Sequence, residues 1–298
     1  MIPMVSVVVA TYRQEQSLDA ALESLMNQTY PNYEIVLVDD NAKPEWNKKV
    51  HAIVEKFQTE YPDTEITYIE NQQNQGSART RNIGIKKAKG DYITFLDDDD
   101  VYLTEKIEHQ VTNMIQEEAD YSITDLYLYS EKGKLIDRRI HSYVKETDVR
   151  SLTEYHLMHH MTGTDSMMFR KDYIMRIGCF DEIDLGDEFY LMQKAISGDG
   201  KFCYIPGCYI KAVVHTGEAG LSSGQNKIDC EMRLYEFKKG YFDRIDRKSR
   251  RYIRMRHYAV LAFAELRRRS YLAFFKNAIC AALSSPVGCV KLLAARRG

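Results

Sequence analysis

The chain opens on an apolar, β-branched run, Val5-Ser6-Val7-Val8-Val9-Ala10, the pattern of a strand buried on both faces. Residues 15–28 then show helical spacing, with Leu18, Ala21, Leu22, Leu25 and Met26 on one side. A second strand is predicted over 33–38, ending in Asp39-Asp40, followed by a helix over 45–61 and a short third strand over 65–70. Another helix, 77–89, has Gly90 as its expected C-terminal cap. A fourth strand, Tyr92-Ile93-Thr94-Phe95-Leu96, runs straight into Asp97-Asp98-Asp99-Asp100. This alternation predicts an α/β fold with a mostly parallel sheet, right-handed crossovers and helices on both faces. Ligands of such sheets bind beyond the carboxyl ends of the strands. Tyr12, Asp40 and the four aspartates all lie at such ends, so they should converge on one crevice.

After residue 120 the pattern is mixed. Residues 121–129 read as a strand, Lys132-Gly133 as a turn, and a second run continues to Ile140. Helices are predicted over 151–161, 171–177 and 187–196, and 202–215 reads as a strand pair broken at Pro206-Gly207. From residue 226 onward the chain is helical and basic, which divides it into a body, 1–225, and a C-terminal helical extension, 226–298.

Hydrophobic residues at 44% and charged residues at 28% suit a globular protein and argue against global disorder. The six cysteines form no C-x-x-C pair, so they are expected to be reduced thiols. With no signal-peptide pattern and no apolar stretch of membrane-spanning length, the expected location is cytoplasmic. Charge is unevenly spread: residues 232–298 hold 17 Lys or Arg against four Asp or Glu, although the whole chain is net −2. An acidic body and a basic tail suggest two tasks, one with cations and one with an anionic surface.

The four aspartates carry the clearest chemistry. Two carboxylates ~4 Å apart repel by about 4 kcal/mol at an effective dielectric near 20, so such a run needs solvent, protons or a cation. Alternation along a strand would let Asp97 and Asp99 address one ion, and hard oxygen donors favour Mg²⁺ or Mn²⁺. A solvated acidic turn is the plainer alternative; placement directly after a buried strand favours the cation. Asp39-Asp40 reads either as an Asx-type turn or as an acceptor for a base N–H, with the Tyr12 ring available for stacking.

Together, residues 5–12, Leu37-Val38-Asp39-Asp40, Asn74-x-Gly76, Arg81-Asn82-x-Gly84-Ile85, the Gly90-Asp91-Tyr92-Ile93-x-Phe95-Leu96-Asp97-x-Asp99-Asp100 segment and Gly178-Cys179-Phe180-Asp181-Glu182 resemble the inverting family 2 glycosyltransferases. The likeness covers about residues 4–223 and implies the A-type nucleotide-binding fold. It also implies roles. Tyr12 and Asp40 would hold the base, usually uracil, with Ala10 and Asp98 among the donor contacts and Arg81 close to the donor. Asp99 would bind the metal directly, and Asp97 would sit nearer the sugar or ribose. The family's catalytic base matches Gly186-Asp187-Glu188-x-x-Leu191-x-x-Lys194, with the two acids in reversed order. Spacing to Leu191 and Lys194 points to Glu188, with Asp187 the alternative. His215, followed by Gly217, Leu221 and Ser222-Ser223, resembles the histidine near the diphosphate and would complete the metal shell. Arg13 and Asn41-Ala42 depart from the usual pattern, where Asn and Gly-Ser are common. The Gln-x-x-Arg-Trp motif of processive synthases is absent, which implies one sugar per encounter.

The implied reaction is transfer from a nucleoside diphosphate sugar, UDP-linked by preference, to a glycan or lipid-linked acceptor. Glu188 would take the acceptor proton and the anomeric centre would invert. Acceptor-facing positions are expected within 120–170, including His159, His160 and Asp165. A nucleotidyltransferase would carry a Gly-rich phosphate loop after the first strand, and Thr11-Tyr12-Arg13-Gln14 has no glycine. A non-catalytic carbohydrate- or membrane-binding protein on the same scaffold is the other alternative, supported by the reversed acid pair. The basic tail contains no nucleic-acid module. Its blocks Arg247-Lys248-x-Arg250-Arg251-x-x-Arg254-x-Arg256 and Arg267-Arg268-Arg269, interleaved with apolar segments, are expected to sit on an anionic membrane face.

Overall fold

The computed structural model describes residues 2–183, 186–215 and 224–295. They form two units: Met1–Val149 with Met161–His215, and Arg150–His160 with Thr216–Gly298.

The first unit begins with β1 (Val5–Thr11), α1 (Glu15–Met26), β2 (Tyr33–Asp39), α2 (Pro44–Glu60), β3 (Glu65–Glu70), α3 (Ser77–Lys87) and β4 (Tyr92–Asp97). The Val/Ile/Leu runs become strands because branched side chains fit a pleated surface covered on both faces. β1 and β2 are accordingly buried along almost their whole length. Strands β3, β2, β1 and β4 are adjacent and parallel. The chain continues through β5 (Val101–Tyr102), α4 (Lys106–Gln116), β6 (Tyr121–Ser130), β7 (Leu135–Arg139), α5 (Val149–His159), β8 (Met167–Arg170), α6 (Lys171–Arg176), α7 (Asp187–Ser197) and β9 (Phe202–Val214). β8 lies antiparallel between β4 and β6, and β6 pairs in parallel with β9. The sheet is therefore mixed, parallel through its first four strands.

Two local expectations are corrected. Gly90 does not cap α3 in a left-handed conformation; α3 ends at Lys87, and its C-cap is Ala88 in an extended geometry. The glycine is needed for space: a Cβ there would stand 2.7 Å from the Ser6 amide nitrogen and 2.8 Å from the Met4 carbonyl. Its N–H donates to Ser6 Oγ at 2.9 Å, and Ser6 Oγ donates in turn to the buried Glu34. Residues 202–214 are one strand, not two, because Pro206-Gly207 is absorbed as a register shift against Thr124 and Asp125.

The second unit contains α5 from Arg150 onward with α8 (Gly224–Lys239), α9 (Arg247–Arg267), α10 (Tyr271–Ser284) and α11 (Pro286–Ala295). Asp246 caps α9 by accepting from the Ser249 amide at 2.6 Å. Ser249 Oγ bonds Glu154, Arg256 Nη1 donates to the Met158 carbonyl at 2.6 Å, and the Tyr252 ring packs on His159. Met255 and Ala259 of α9 also pack against Ala281 of α10, with Tyr252 against the same cluster. The six cysteines are free thiols. Among the described residues no helix is long and apolar enough to cross a membrane.

Candidate active site

The register of the parallel strands brings the candidate donor residues to one edge. Ala10 of β1 stands opposite Val38 of β2 and Asp97 of β4, and Thr11 stands opposite Asp39. Tyr12, the next residue, is 42% exposed, and the Arg13 guanidinium lies 4.8 Å from its ring centroid.

Asp40 is buried, and both of its carboxylate oxygens are engaged. Oδ1 accepts from Asn71 Nδ2 and from the Gln75 amide, each at 2.8 Å, and Oδ2 accepts from the Gly76 amide at 2.9 Å. Asn74 Nδ2 donates to the Asp40 carbonyl at 3.1 Å. The Asn74-x-Gly76 motif therefore wraps one carboxylate, and Gly76 (φ +79°) starts α3 from it.

Asp97 is the last residue of β4, and the three aspartates after it do not extend the strand. Asp100 N donates to Asp97 O at 3.1 Å, closing a turn that sends each side chain to a different partner. Asp98 is buried and accepts from the Tyr12 amide at 3.0 Å, and burial pushes its carboxyl up to about 7. Asp99 Oδ2 lies 2.6 Å from His215 Nε2, whose Nδ1 is 2.8 Å from Glu131. Burial and the Asp97 charge raise the Asp99 carboxyl above its ordinary value, while His215 pulls the other way. Hydrogen bonds donated to Glu131 and Asp99 raise the His215 imidazole. Asp100 accepts from the Val213 amide at 2.7 Å.

Strand alternation therefore does not reach past Asp97, which still lies close enough to Asp99 for its charge to be felt there. Carboxylate oxygens of Asp97, Asp100 and Asp165 lie within 4.8 Å of one another. Asp165 is nearly fully buried and accepts from the Asp97 amide at 2.8 Å. Burial, then the charges of Asp97 and Asp100, raise it well above the carboxylate range, and burial raises Asp100 to about 7. Three carboxylate oxygens gathered this closely fit a hard divalent cation. Asp99 and His215 offer a further oxygen and nitrogen beside them. Asp165, expected to face an acceptor, belongs to this cluster, whereas His159 and His160 lie in the second unit. Gly217, Leu221, Ser222 and Ser223 lie outside the described residues.

Arg81 of α3 joins the two halves of the site. Its Nη2 donates to Asp97 Oδ1 at 2.7 Å and its Nη1 to Asp187 Oδ2 at 2.9 Å. Burial disfavours the charge, but Asp97 and Asp187 outweigh it and hold the guanidinium fully protonated. Gly84, one turn on, lets α3 approach β1 closely, since a Cβ there would collide with Val8 Cγ1. Asn82 Nδ2 donates to the Phe180 carbonyl at 2.9 Å and its Oδ1 accepts from the Phe180 amide at 3.0 Å. Lys194 of α7 reaches Asp181 at 2.7 Å. The motif around Phe180 thus braces α3 against α7.

Asp187 and Glu188 open α7, after Gly186 in a left-handed conformation. Asp187 is buried on Arg81, while Glu188 is half-buried. Burial and the neighbouring Asp187 raise the Glu188 carboxyl to about 7. The two acids therefore differ in kind: one is committed to an ion pair, and the other is poised to exchange a proton near neutrality.

Lys106 and Tyr102, which the motifs do not mark, lie beneath this edge. Lys106 is fully buried; its Nζ donates to Thr94 and, at 2.8 Å, to Tyr102 Oη, and burial lowers it well below the ordinary amine range.

A family model for glycosyl transferase family 2 matches residues 6–175. An uncharacterised glycosyltransferase of Methanocaldococcus jannaschii is 28% identical over 211 residues, 70% of each chain. The UDP-Glc:alpha-D-GlcNAc-diphosphoundecaprenol beta-1,3-glucosyltransferase WfaP of Escherichia coli is 36% identical over 126 residues, 42% of this chain and 47% of WfaP. Among solved structures, Staphylococcus aureus TarS in complex with UDP-GlcNAc aligns with a TM-score of 0.62 at 16% identity, covering 96% of this chain and 92% of that one. The mannosyltransferase PcManGT of Pyrobaculum calidifontis, in complex with GDP-Man and Mn²⁺, aligns with a TM-score of 0.58 at 16% identity over 96% and 87% of the two chains. These structures share the fold, and the family match, which takes in the strand ends, the aspartate turn and Arg81, settles membership: the chain belongs to glycosyl transferase family 2 and is a glycosyltransferase.

Proposed function

We propose that the enzyme transfers a single sugar from a UDP-linked donor to an acceptor hydroxyl with inversion, using Mg²⁺ or Mn²⁺, in the assembly of a cell-surface glycan. The observation that carries this reading is Arg81 held between Asp97 and Asp187, with a near-neutral Glu188 beside them. Tyr12 would stack on the base, and Asp40 would fix the loop beneath it. Asp97, Asp99, Asp100, Asp165 and His215 are the groups able to hold the cation, whose chemistry would be neutralisation of charge growing on the leaving diphosphate. Arg81 fixes Asp97 and Asp187 in place. Glu188 accepts the acceptor proton as that oxygen attacks the anomeric carbon opposite the leaving group. A lipid-linked acceptor is supported by the activity of WfaP, and UDP by that of WfaP and by the TarS complex. The basic C-terminal helices would place the enzyme on an anionic membrane face at the cytoplasmic side.

The test is calorimetry with Mn²⁺ present. UDP should bind at least ~10-fold more tightly than GDP or ADP, a difference of about 1.4 kcal/mol. Equal affinities would overturn the UDP assignment.

A further inference from the structure

Arg247, Arg250, Arg251 and Arg254 of α9 line a single cavity of about 710 Å³, walled on its other side by Leu283 and Ser284 at the end of α10. The volume falls within the range of ligand sites. All six residues belong to the second unit, and none is shared with the candidate active site. Positions 247, 251 and 254 recur at helical spacing and so share a face. Two of the guanidinium groups are oriented by backbone carbonyls. Arg251 Nε donates to Ser284 O at 2.9 Å, and Arg250 donates to Ile245 O from Nε at 3.1 Å and from Nη2 at 2.9 Å. Ion pairs elsewhere in this unit join Lys239 to Glu236, His257 to Glu231 and Arg268 to Glu265. Among the described residues, none of the four cavity arginines has a carboxylate partner. Four like charges around one space call for an anion, and the guanidinium fork matches phosphate oxygens.

The cavity opens beside an uncovered apolar surface. Leu272 (87% exposed), Phe275, Ile279 and Leu283 (76%) recur along α10 as one stripe, and Val287 and Val290 of α11 are also exposed. Ala281, on the opposite side of α10, is buried on Met255 and Ala259. Leu283 belongs both to the stripe and to the cavity wall, so the cationic forks and the apolar track are contiguous. A phosphate at one end and an acyl chain at the other is the chemistry such a surface complements, while no helix among the described residues is long and apolar enough to cross a bilayer.

We propose that this cavity is a headgroup site for an anionic phospholipid of a bilayer surface: the phosphate sits among the four arginines, and α10 and α11 lie in the interfacial layer. The inference deepens the membrane-surface part of the proposal above and is independent of glycosyl transfer.

The experiment uses the full chain and sucrose-loaded vesicles of phosphatidylcholine with or without phosphatidylglycerol, at physiological salt. Arg251→Glu/Arg254→Glu should lower partitioning onto the anionic vesicles by at least ~10-fold. Arg267→Glu/Arg268→Glu, which makes the same charge change outside the cavity, should lower it by less than ~3-fold, the share of diffuse attraction. Circular dichroism checks that both variants fold. Short-chain phosphatidylglycerol should raise the melting temperature of the unaltered chain more than inorganic phosphate does at equal concentration. Equal losses for the two double variants would overturn the cavity assignment alone. Equal effects of phosphate and short-chain lipid would assign the cavity to free phosphate and overturn the lipid. If the unaltered chain fails to bind anionic vesicles, the cavity assignment and the membrane location both fall.

Discussion

Arg81 and Asp187, 106 residues apart in the chain, form a buried ion pair at 2.9 Å, and the same guanidinium holds Asp97. Removing one member of a buried pair leaves the partners charged in a poor solvent. Arg81→Met should therefore destabilise the protein by about 3–5 kcal/mol in urea unfolding. Adding Asp97→Asn and Asp187→Asn to that variant should recover part of the loss. A loss below about 1 kcal/mol for Arg81→Met would show that the pair is solvated.

Glu188 and Asp187 are separable by pH. With the Glu188 carboxyl near 7, transfer should rise with pH through that value, because the carboxylate is the active form. Glu188→Gln should keep donor binding and lose at least ~10²-fold in kcat. Asp187→Asn removes a negative charge that raises Glu188, so the acidic limb should move to lower pH. An active Glu188→Gln with an inactive Asp187→Asn would reverse the roles.

The same shift has a sign for stability. The folded-state value lies above the ordinary value of 4.5, so the folded protein retains a proton that the unfolded chain has lost. This contribution is fully present below about 4.5 and is lost as pH rises toward 7. Glu188→Gln should therefore be more stable than the unaltered protein at pH 8, by up to about 3 kcal/mol before solvent screening, and unfold at a higher temperature. Equal melting temperatures at pH 8 would contradict the raised value.

Asp165 is the least obvious member of the acidic cluster, and its role can be isolated. Asn can still accept from the Asp97 amide, so Asp165→Asn should leave the metal-free melting temperature nearly unchanged or raised. The increase in melting temperature caused by Mn²⁺ should shrink, reflecting about a 10-fold loss of cation affinity, near 1.4 kcal/mol. Asp99→Ala should abolish metal-dependent donor turnover. An undiminished Mn²⁺ effect in Asp165→Asn would remove that residue from the cation site.

Gly90→Ala tests the close approach to β1. Its Cβ would lie 2.7 Å from a backbone nitrogen, which cannot rotate away, so a loss of about 1–3 kcal/mol is expected. A left-handed cap would instead tolerate Asn at this position. Gly90→Asn as stable as the native chain would restore the capping role.

The first four strands were legible because each is a branched apolar run that ends in a chemical group. The aspartate turn was legible in composition but not in conformation: strand alternation stops where Asp100 bonds back to Asp97. Asp165 was hidden for a topological reason. β8 runs antiparallel to β4, with Thr94 opposite Met168, so the residue three places before one meets the residue three places after the other. No spacing along a single chain displays that. The α4 helix was obscured because its buried face includes Lys106 and Gln110 beside Ile107, Val111 and Met114. The Gly90-Asp91 half of the segment that ends in Asp99-Asp100 is architectural: Asp91 accepts from the Met4 amide at 2.9 Å, at the far end of β1 from Tyr12.

The carboxylate of Asp40 receives the amides of Gln75 and Gly76, and α3 begins at the next residue. A mutation that altered base preference through Asp40 would also release the start of α3, and Arg81 lies in its second turn. On the proposed placement of the donor, nucleotide choice and the charge balance at the reacting centre cannot drift independently in descendants of this sequence. On that placement a change of donor base is more readily reached through Tyr12, whose exposed ring can be exchanged without loosening the helix, than through the buried acid.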